Sequence, residues 1–206
     1  MSATTSGRHH FDRAGWRTIE IVVAAMLGVT FGVVYWGWDQ ADTVLDPVFK
    51  GVLGPSVGLL GGPWLLAGVV AGFVVRRPGA ALLAELIAAT VEALLGNQWG
   101  ATTLISGALQ GLGVEVALAI FLFRWFSWPV AAIGGALAAL FEFGYEWNAY
   151  WQGYTMGWKF AYLGFFALSG AVIAGIGGWL LVRALAATGA IDALAAGKEA
   201  AVDHAV

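Results

Sequence analysis

Apolar residues run through this chain in long stretches, and the polar ones collect in short clusters between them. Six windows reach or approach the roughly 20 mainly apolar residues that a membrane-spanning helix needs. They are 18–38, 57–75, 79–95, 101–126, 130–147 and 158–185. Segment 41–62 is the ambiguous piece. It is apolar enough to enter a membrane, but Pro47, Pro55 and several glycines interrupt it. Read as a full span, it gives seven helices. Read as an outer loop holding a short or re-entrant helix, it leaves six.

Charge separates these two readings, because cytoplasmic loops collect Lys and Arg. With six spans and the N-terminus inside, Arg8, Arg13, Arg17, Arg76, Arg77, Arg124, Arg183 and Lys198 share the cytoplasmic side, and only Lys50 and Lys159 fall outside. A seventh span ahead of Arg76 would set the Arg76-Arg77 pair against the basic N-terminus. The pattern therefore predicts an all-α membrane protein, a six-helix bundle with both termini cytoplasmic. Residues 1–17 form a cytoplasmic segment, 18–185 the membrane domain and 186–206 a cytoplasmic, alanine-rich tail. The apolar run after the basic N-terminus continues past the length of a signal-peptide core, so the first helix is retained.

Composition supports that class and narrows the chemistry. Of 206 residues, 60% are hydrophobic and only 11% charged, with mean hydropathy +0.79, which fits a polytopic membrane domain and not a soluble one. There is no cysteine, which excludes disulfides and thiolate sites. His9, His10 and His204 all lie at the termini, so no histidine-based metal or catalytic centre is expected inside the membrane. No phosphate-binding loop of the G-x-x-x-x-G-K-[ST] type occurs. Ser106 and Ser169 have no interior histidine to activate them. The reading is a non-enzyme without cofactor, metal or nucleic-acid partner.

The unusual residues are acids in apolar surroundings. Glu85 and Glu92 stand two helical turns apart on one face of the third span. Glu115 and Gln110 lie on the fourth span, and Glu142 and Glu146 one turn apart on the fifth. Hydrocarbon cannot solvate a carboxylate, so such acids mark a bundle interior or a wet cavity, and by default a function. A structural alternative is that each is protonated or paired with a neighbouring amide. Several acids with hardly a cation nearby weigh against that alternative, since the missing positive charge can be a ligand. Trp36, Trp38, Trp64, Trp99, Trp147, Trp151 and Trp158 fall toward the same outer end. They read either as an interfacial belt or as a cage for a cationic or aromatic ligand. The turn GNQWGATTLISG, rich in amides and hydroxyls, is an ordinary outer loop or a cavity lining. On the first helix, Ala24, Gly28 and Gly32 recur at four-residue spacing, a stripe that lets another helix come close, whether within the chain or from a partner protein.

The segment RRPGAALLAELIAATVEALLGNQWG, continuing into SGALQGLGVE, resembles the substrate-binding S component of energy-coupling factor (ECF) vitamin transporters, and within it the YkoE family associated with thiamine and hydroxymethylpyrimidine. FEFGYEWNAYWQGYTMGWKFAYL fits the same family more loosely. The resemblance implies a six-helix bundle with an outward-facing pocket, working beside a transmembrane coupling protein (the T component) and two cytoplasmic ATPases. It also implies an A-x-x-x-A docking motif on the first helix. Ala24 matches its first position, while Gly28 replaces the second alanine. Thiamine carries a positive thiazolium and a flat aminopyrimidine, which acids and aromatic faces suit. The expected pocket residues are Glu85, Glu92, Trp99, Gln110, Glu142, Glu146 and Trp147, with Ala24, Gly28 and Gly32 as the partner face. A different class, a proton-coupled carrier or channel using Glu85, Glu92 and Glu115 as a relay, is the alternative.

Overall fold

The structure, a computed structural model, describes residues 15–203. Residues 1–14, most of the expected N-terminal segment with His9 and His10, lie outside the described residues, as does His204 in the tail. Eight α-helices are described. They are α1 (Thr18–Val48), α2 (Leu66–Val75), α3 (Ala80–Leu95), α4 (Thr103–Ile120), α5 (Trp128–Ala149), α6 (Met156–Ser169), α7 (Gly178–Ala187) and α8 (Ala195–Asp203).

Several helices run on into tighter or wider turns. α6 continues through a π-helical stretch, Gly170–Gly177, into α7, so 156–187 is one helical run. Segment 41–62 is helical too. α1 extends through Pro47 in its last turn, a wide π-turn covers Phe49–Leu53, and a 3₁₀ stretch, Gly54–Leu65, leads into α2. The whole of Thr18–Val75 is thus an unbroken helical run of 58 residues. It doubles back on itself, since α1 packs against both the 3₁₀ stretch and α2. Gly54 sits at this reversal with φ 59°, a conformation that glycine adopts without a Cβ clash.

Four helical runs among the described residues are long and apolar enough to cross a membrane: Thr18–Val75, Gly100–Ile120, Trp128–Ala149 and Met156–Ala187. α3 has 16 residues, about 24 Å at 1.5 Å per residue, and its flanking glycines, Gly79 and Gly96, both stand at φ 91°. It is buried in the bundle against α1, α2 and α4.

The small residues are where the helices touch. Ala24, Gly28 and Gly32 are buried against α3. A Cβ on Gly28 would stand 2.7 Å from the Ala84 carbonyl oxygen, and one on Gly32 2.6 Å from Cβ of Val91. This corrects the reading of the stripe as a partner face. Its space is already filled by α3 of the same chain, and α1 offers a partner only its other side, where Val22, Met26, Val29 and Val33 are exposed. Gly135 and Gly170 make the same kind of contact between α5 and the α6 run. Gly32→Ala is expected to cost about 1–3 kcal/mol of stability, because the new methyl meets backbone that cannot swing aside. Thermal unfolding in detergent would measure it, and an unchanged midpoint would contradict this packing.

Charges divide between the two ends of the bundle. At one end Glu20 caps α1, accepting from the Arg17 backbone N–H (2.8 Å) and side chain (2.9 Å), and Arg77 reaches the same carboxylate at 3.2 Å. The tail folds back over this end. Ile191, Leu194 and Ala196 are buried, Glu199 pairs with Arg76, and Arg17 donates to the Ala193 carbonyl. The opposite end holds Asp39, Asp42, Asp46, Lys50, Glu92, Glu142, Glu146 and Lys159.

Candidate functional site

A cavity of about 440 Å³ opens among the helix ends on the acidic side. That is within the range of small-molecule sites. Its acids come from three helices. Asp42 and Asp46 lie on the last turns of α1, Glu92 on the last turn of α3, and Glu142 and Glu146 on the second half of α5. α4 adds Thr103, Ser106 and Gln110 from its first two turns.

The aromatic lining falls into two groups. Trp64 and Trp99 meet edge to face at 5.5 Å, with Trp38 behind Trp64 at 6.2 Å. Trp151 and Tyr162 lie 4.5 Å apart, with Trp158 stacked on Tyr162 at 5.6 Å and Phe166 next along. Ring hydrogen bonds hold these walls in place. Trp64 Nε1 donates to Asp39 Oδ1 at 2.9 Å, Trp38 Nε1 to the Leu60 carbonyl at 3.0 Å, and Trp151 Nε1 to Glu146 Oε2 at 3.1 Å. Tyr150, just past the end of α5, has its phenol pushed up to about 12 by burial, so it stays a hydrogen-bond donor.

The acids differ in how fully they are satisfied. Glu92 accepts from Asn97 Nδ2 at 3.2 Å, and its carboxyl faces that of Asp39. Glu146 holds Trp151. Glu142 is 3% exposed, with the Ser106 hydroxyl beside its carboxyl, yet its Oε2 has no hydrogen-bond partner among the described residues. A buried carboxylate oxygen without a donor is costly. Glu142 lines the cavity, while this oxygen is itself covered by protein.

Of the expected pocket residues, Glu92, Trp99, Gln110, Glu142 and Glu146 line this cavity. Glu85 and Trp147 do not. Glu85 is fully buried behind Tyr35. Its Oε1 accepts from the Gly68 N–H at 2.7 Å, and both its oxygens lie 3.2 Å from the Tyr35 hydroxyl. That hydroxyl in turn accepts from the Ala67 N–H at 2.7 Å. Both amides belong to the first turn of α2, where backbone donors have no partner within the helix. Glu85 and Tyr35 together cap that helix from outside. Trp147 packs with Phe143 and Phe160, and the Lys159 ammonium sits 4.3 Å from its ring centroid. Glu115 also serves a helix terminus, accepting from the Ala81 N–H at 2.8 Å at the start of α3. Glu85 and Glu115 are thus both tied to backbone amides at helix starts, and neither lines the cavity.

The cavity also uses residues outside the expected set: Tyr35, Asp42, Asp46, Lys50, Trp64, Ser106, Tyr150, Trp151 and Tyr162. One signal for part of this set was present. Asp39, Asp42, Asp46 and Lys50 follow at spacings of three, four and four, which is one face of a helix continued beyond residue 38.

Comparison with known proteins agrees with this architecture. The family described as ABC-type cobalt transport system, permease component, matches residues 19–141. A curated protein of Bacillus subtilis (strain 168), described as putative HMP/thiamine permease protein YkoE, is 34% identical over 186 residues, covering 89% of this chain and 92% of the relative. The crystal structure of an S component of an ECF transporter superposes with a TM-score of 0.85 at 32% identity, covering 92% of this chain and 95% of the other. With family, relative and fold in agreement, the chain belongs to the S components of ECF transporters, multi-pass proteins of the cell membrane that take part in transport and not in catalysis.

Proposed function

We propose that this S component captures thiamine or its hydroxymethylpyrimidine precursor from outside the cell, in the acid- and aromatic-lined cavity. The observation that carries the reading is Glu142, a buried carboxylate on the lining of a cavity with two aromatic walls, whose Oε2 lacks a donor among the described residues. A flat ring with an exocyclic amine, or a positive thiazolium, supplies what both features need. The relative described as an HMP/thiamine permease supports the same chemistry. A bare metal ion suits the site poorly. Among the described residues no three His, Cys, Asp or Glu side chains converge as ligands, and aromatic walls give a metal nothing to bind.

Six membrane passes fit the chain, with α3 as the short third one and the α6–α7 run as the last. Arg17, Arg76, Arg77, Arg124 and Arg183 then mark the cytoplasmic end, which turns the cavity outward. The cytoplasmic partners are a T component and two ATPases, whose hydrolysis of ATP drives inward release. The exposed apolar side of α1 is the surface left for lipid or for the T component. A proton relay is the weaker reading, because Glu85 and Glu115 are tied to helix amides.

The test is a tryptophan-fluorescence titration of the purified chain with thiamine and with hydroxymethylpyrimidine. The expected result is saturable quenching at or below micromolar ligand, from Trp64, Trp99 and Trp151 in the wall. No response to either compound would overturn the substrate assignment.

A further inference from the structure

The cavity is acidic, yet one cation already stands in it. Lys50, on the π-turn after α1, is the only Lys or Arg among the described cavity-lining residues. Its ammonium lies 2.9 Å from Asp46 Oδ1 and 5.0 Å from the centroid of the Trp151 ring. Asp42 and Glu146 are close enough to feel its charge. Glu146 is also the acceptor for the indole N–H of that same Trp151. Carboxylates around an aromatic face are the groups that a cationic ligand would use.

The hold on Lys50 is light. Its side chain is 35% exposed and that of Asp46 28%, so water already screens the pair. A lysine ammonium on a four-carbon stem moves without any backbone change. Lys159, at the same end of the bundle, differs. It is 7% exposed, set over Trp147 outside the cavity, and close to the Trp147 carbonyl at 3.5 Å.

We propose that Lys50 is a built-in counter-ion that occupies the cation corner of the cavity, at Asp46 and Trp151, and is displaced by the positive part of an incoming ligand. The inference rests on reading the cavity as the ligand site. A second cation at the same ring face and the same acids meets the charge of Lys50 at close range, which weakens its hold. A cationic ligand therefore binds best there with Lys50 moved aside, whereas a neutral one can bind beside it. The side chain thus sets how strongly the chain prefers cationic over neutral ligands, and it keeps small stray cations out.

The experiment compares the full-length wild-type chain with Lys50→Met, Lys50→Gln and Lys50→Arg. Tryptophan fluorescence follows three probes: thiamine, neutral hydroxymethylpyrimidine and tetramethylammonium, a bare cation without vitamin chemistry. Removing one unit charge a few ångströms from the ligand is expected to tighten thiamine and tetramethylammonium binding about tenfold in both neutral variants. Hydroxymethylpyrimidine should shift by less than about twofold on the same grounds, and Lys50→Arg should stay near wild type. In parallel, mass spectrometry measures acylation of Lys50 by an amine-reactive ester. Displacement predicts faster labelling when the cationic ligand is bound. Unchanged or weaker cation binding in both neutral variants, or protection of Lys50 by the ligand, would overturn the proposal. A wild-type chain that binds neither vitamin compound defeats the substrate assignment, and the tetramethylammonium comparison then still decides the role of Lys50.

Discussion

Glu142→Gln is expected to weaken thiamine binding by about a hundredfold, roughly 3 kcal/mol, the usual loss when a buried charged acceptor of a hydrogen bond is removed. The carboxylate is buried, and its Oε2 has no donor among the described residues. Glutamine keeps the shape and the neighbouring Ser106 contact but removes the charge. It replaces one acceptor oxygen of a cavity-lining side chain by an N–H₂ group. The amide should therefore repel the donors that the carboxylate attracts. Stability should move the other way or not at all, since the substitution removes a buried, half-satisfied charge. Binding that falls while the melting temperature holds would separate a ligand contact from a structural acid. Equal binding in the two chains would remove Glu142 from the site.

Glu85 should behave in the opposite sense. Glu85→Ala is expected to destabilise the bundle by about 3 kcal/mol, because the Gly68 N–H loses its acceptor and a fully buried void opens beside Tyr35. Glu85→Gln should cost distinctly less, since an amide oxygen can still accept from Gly68. Thermal unfolding in detergent compares the three chains. The binding constant of the surviving folded Glu85→Gln protein should stay within about threefold of wild type, given that the side chain does not reach the cavity. A large binding loss without a stability loss would return Glu85 to the ligand site.

These two glutamates show what hydropathy can and cannot separate. Both are acids within apolar helices, and both read from the chain alone as pocket residues. Glu85 differs only in what lies opposite. The amides it serves belong to a helix start 17 residues earlier in the chain, and no local pattern reveals that contact. Helical periodicity put Glu85 and Glu92 on one face correctly, but depth along that face decides the role. Glu92 reaches the cavity, while Glu85 sits below the Tyr35 floor.

The extent of α1 was obscured for a related reason. The cluster around Asp39 and Asp42 resembles the end of a span, yet the helix continues to Val48, with Asp42 on the cavity lining and Asp39 buried against the Trp64 ring N–H. The stripe of Ala24, Gly28 and Gly32 announced a close helix contact and left its owner open. The owner is α3, whose small Ala84 and Ala88 meet it. Trp147 and Trp151 are four residues apart and would share a face in one helix. α5 ends at Ala149, so Trp151 turns back into the cavity while Trp147 stays outside it. The helical class, the acid-rich end and the family were all readable beforehand, because they rest on composition, charge and local motif. Pocket membership rests on contacts between distant segments.

A structure of the chain determined with thiamine present would show whether this cavity holds a thiamine-like ligand. The ligand is expected between Trp99 and Trp151, with a polar hydrogen of its aminopyrimidine against Glu142, its positive ring at Asp46 and Trp151, and Lys50 turned out of the cavity. Thiamine bound elsewhere on the chain, or a cavity holding only water at saturating thiamine, would contradict this placement.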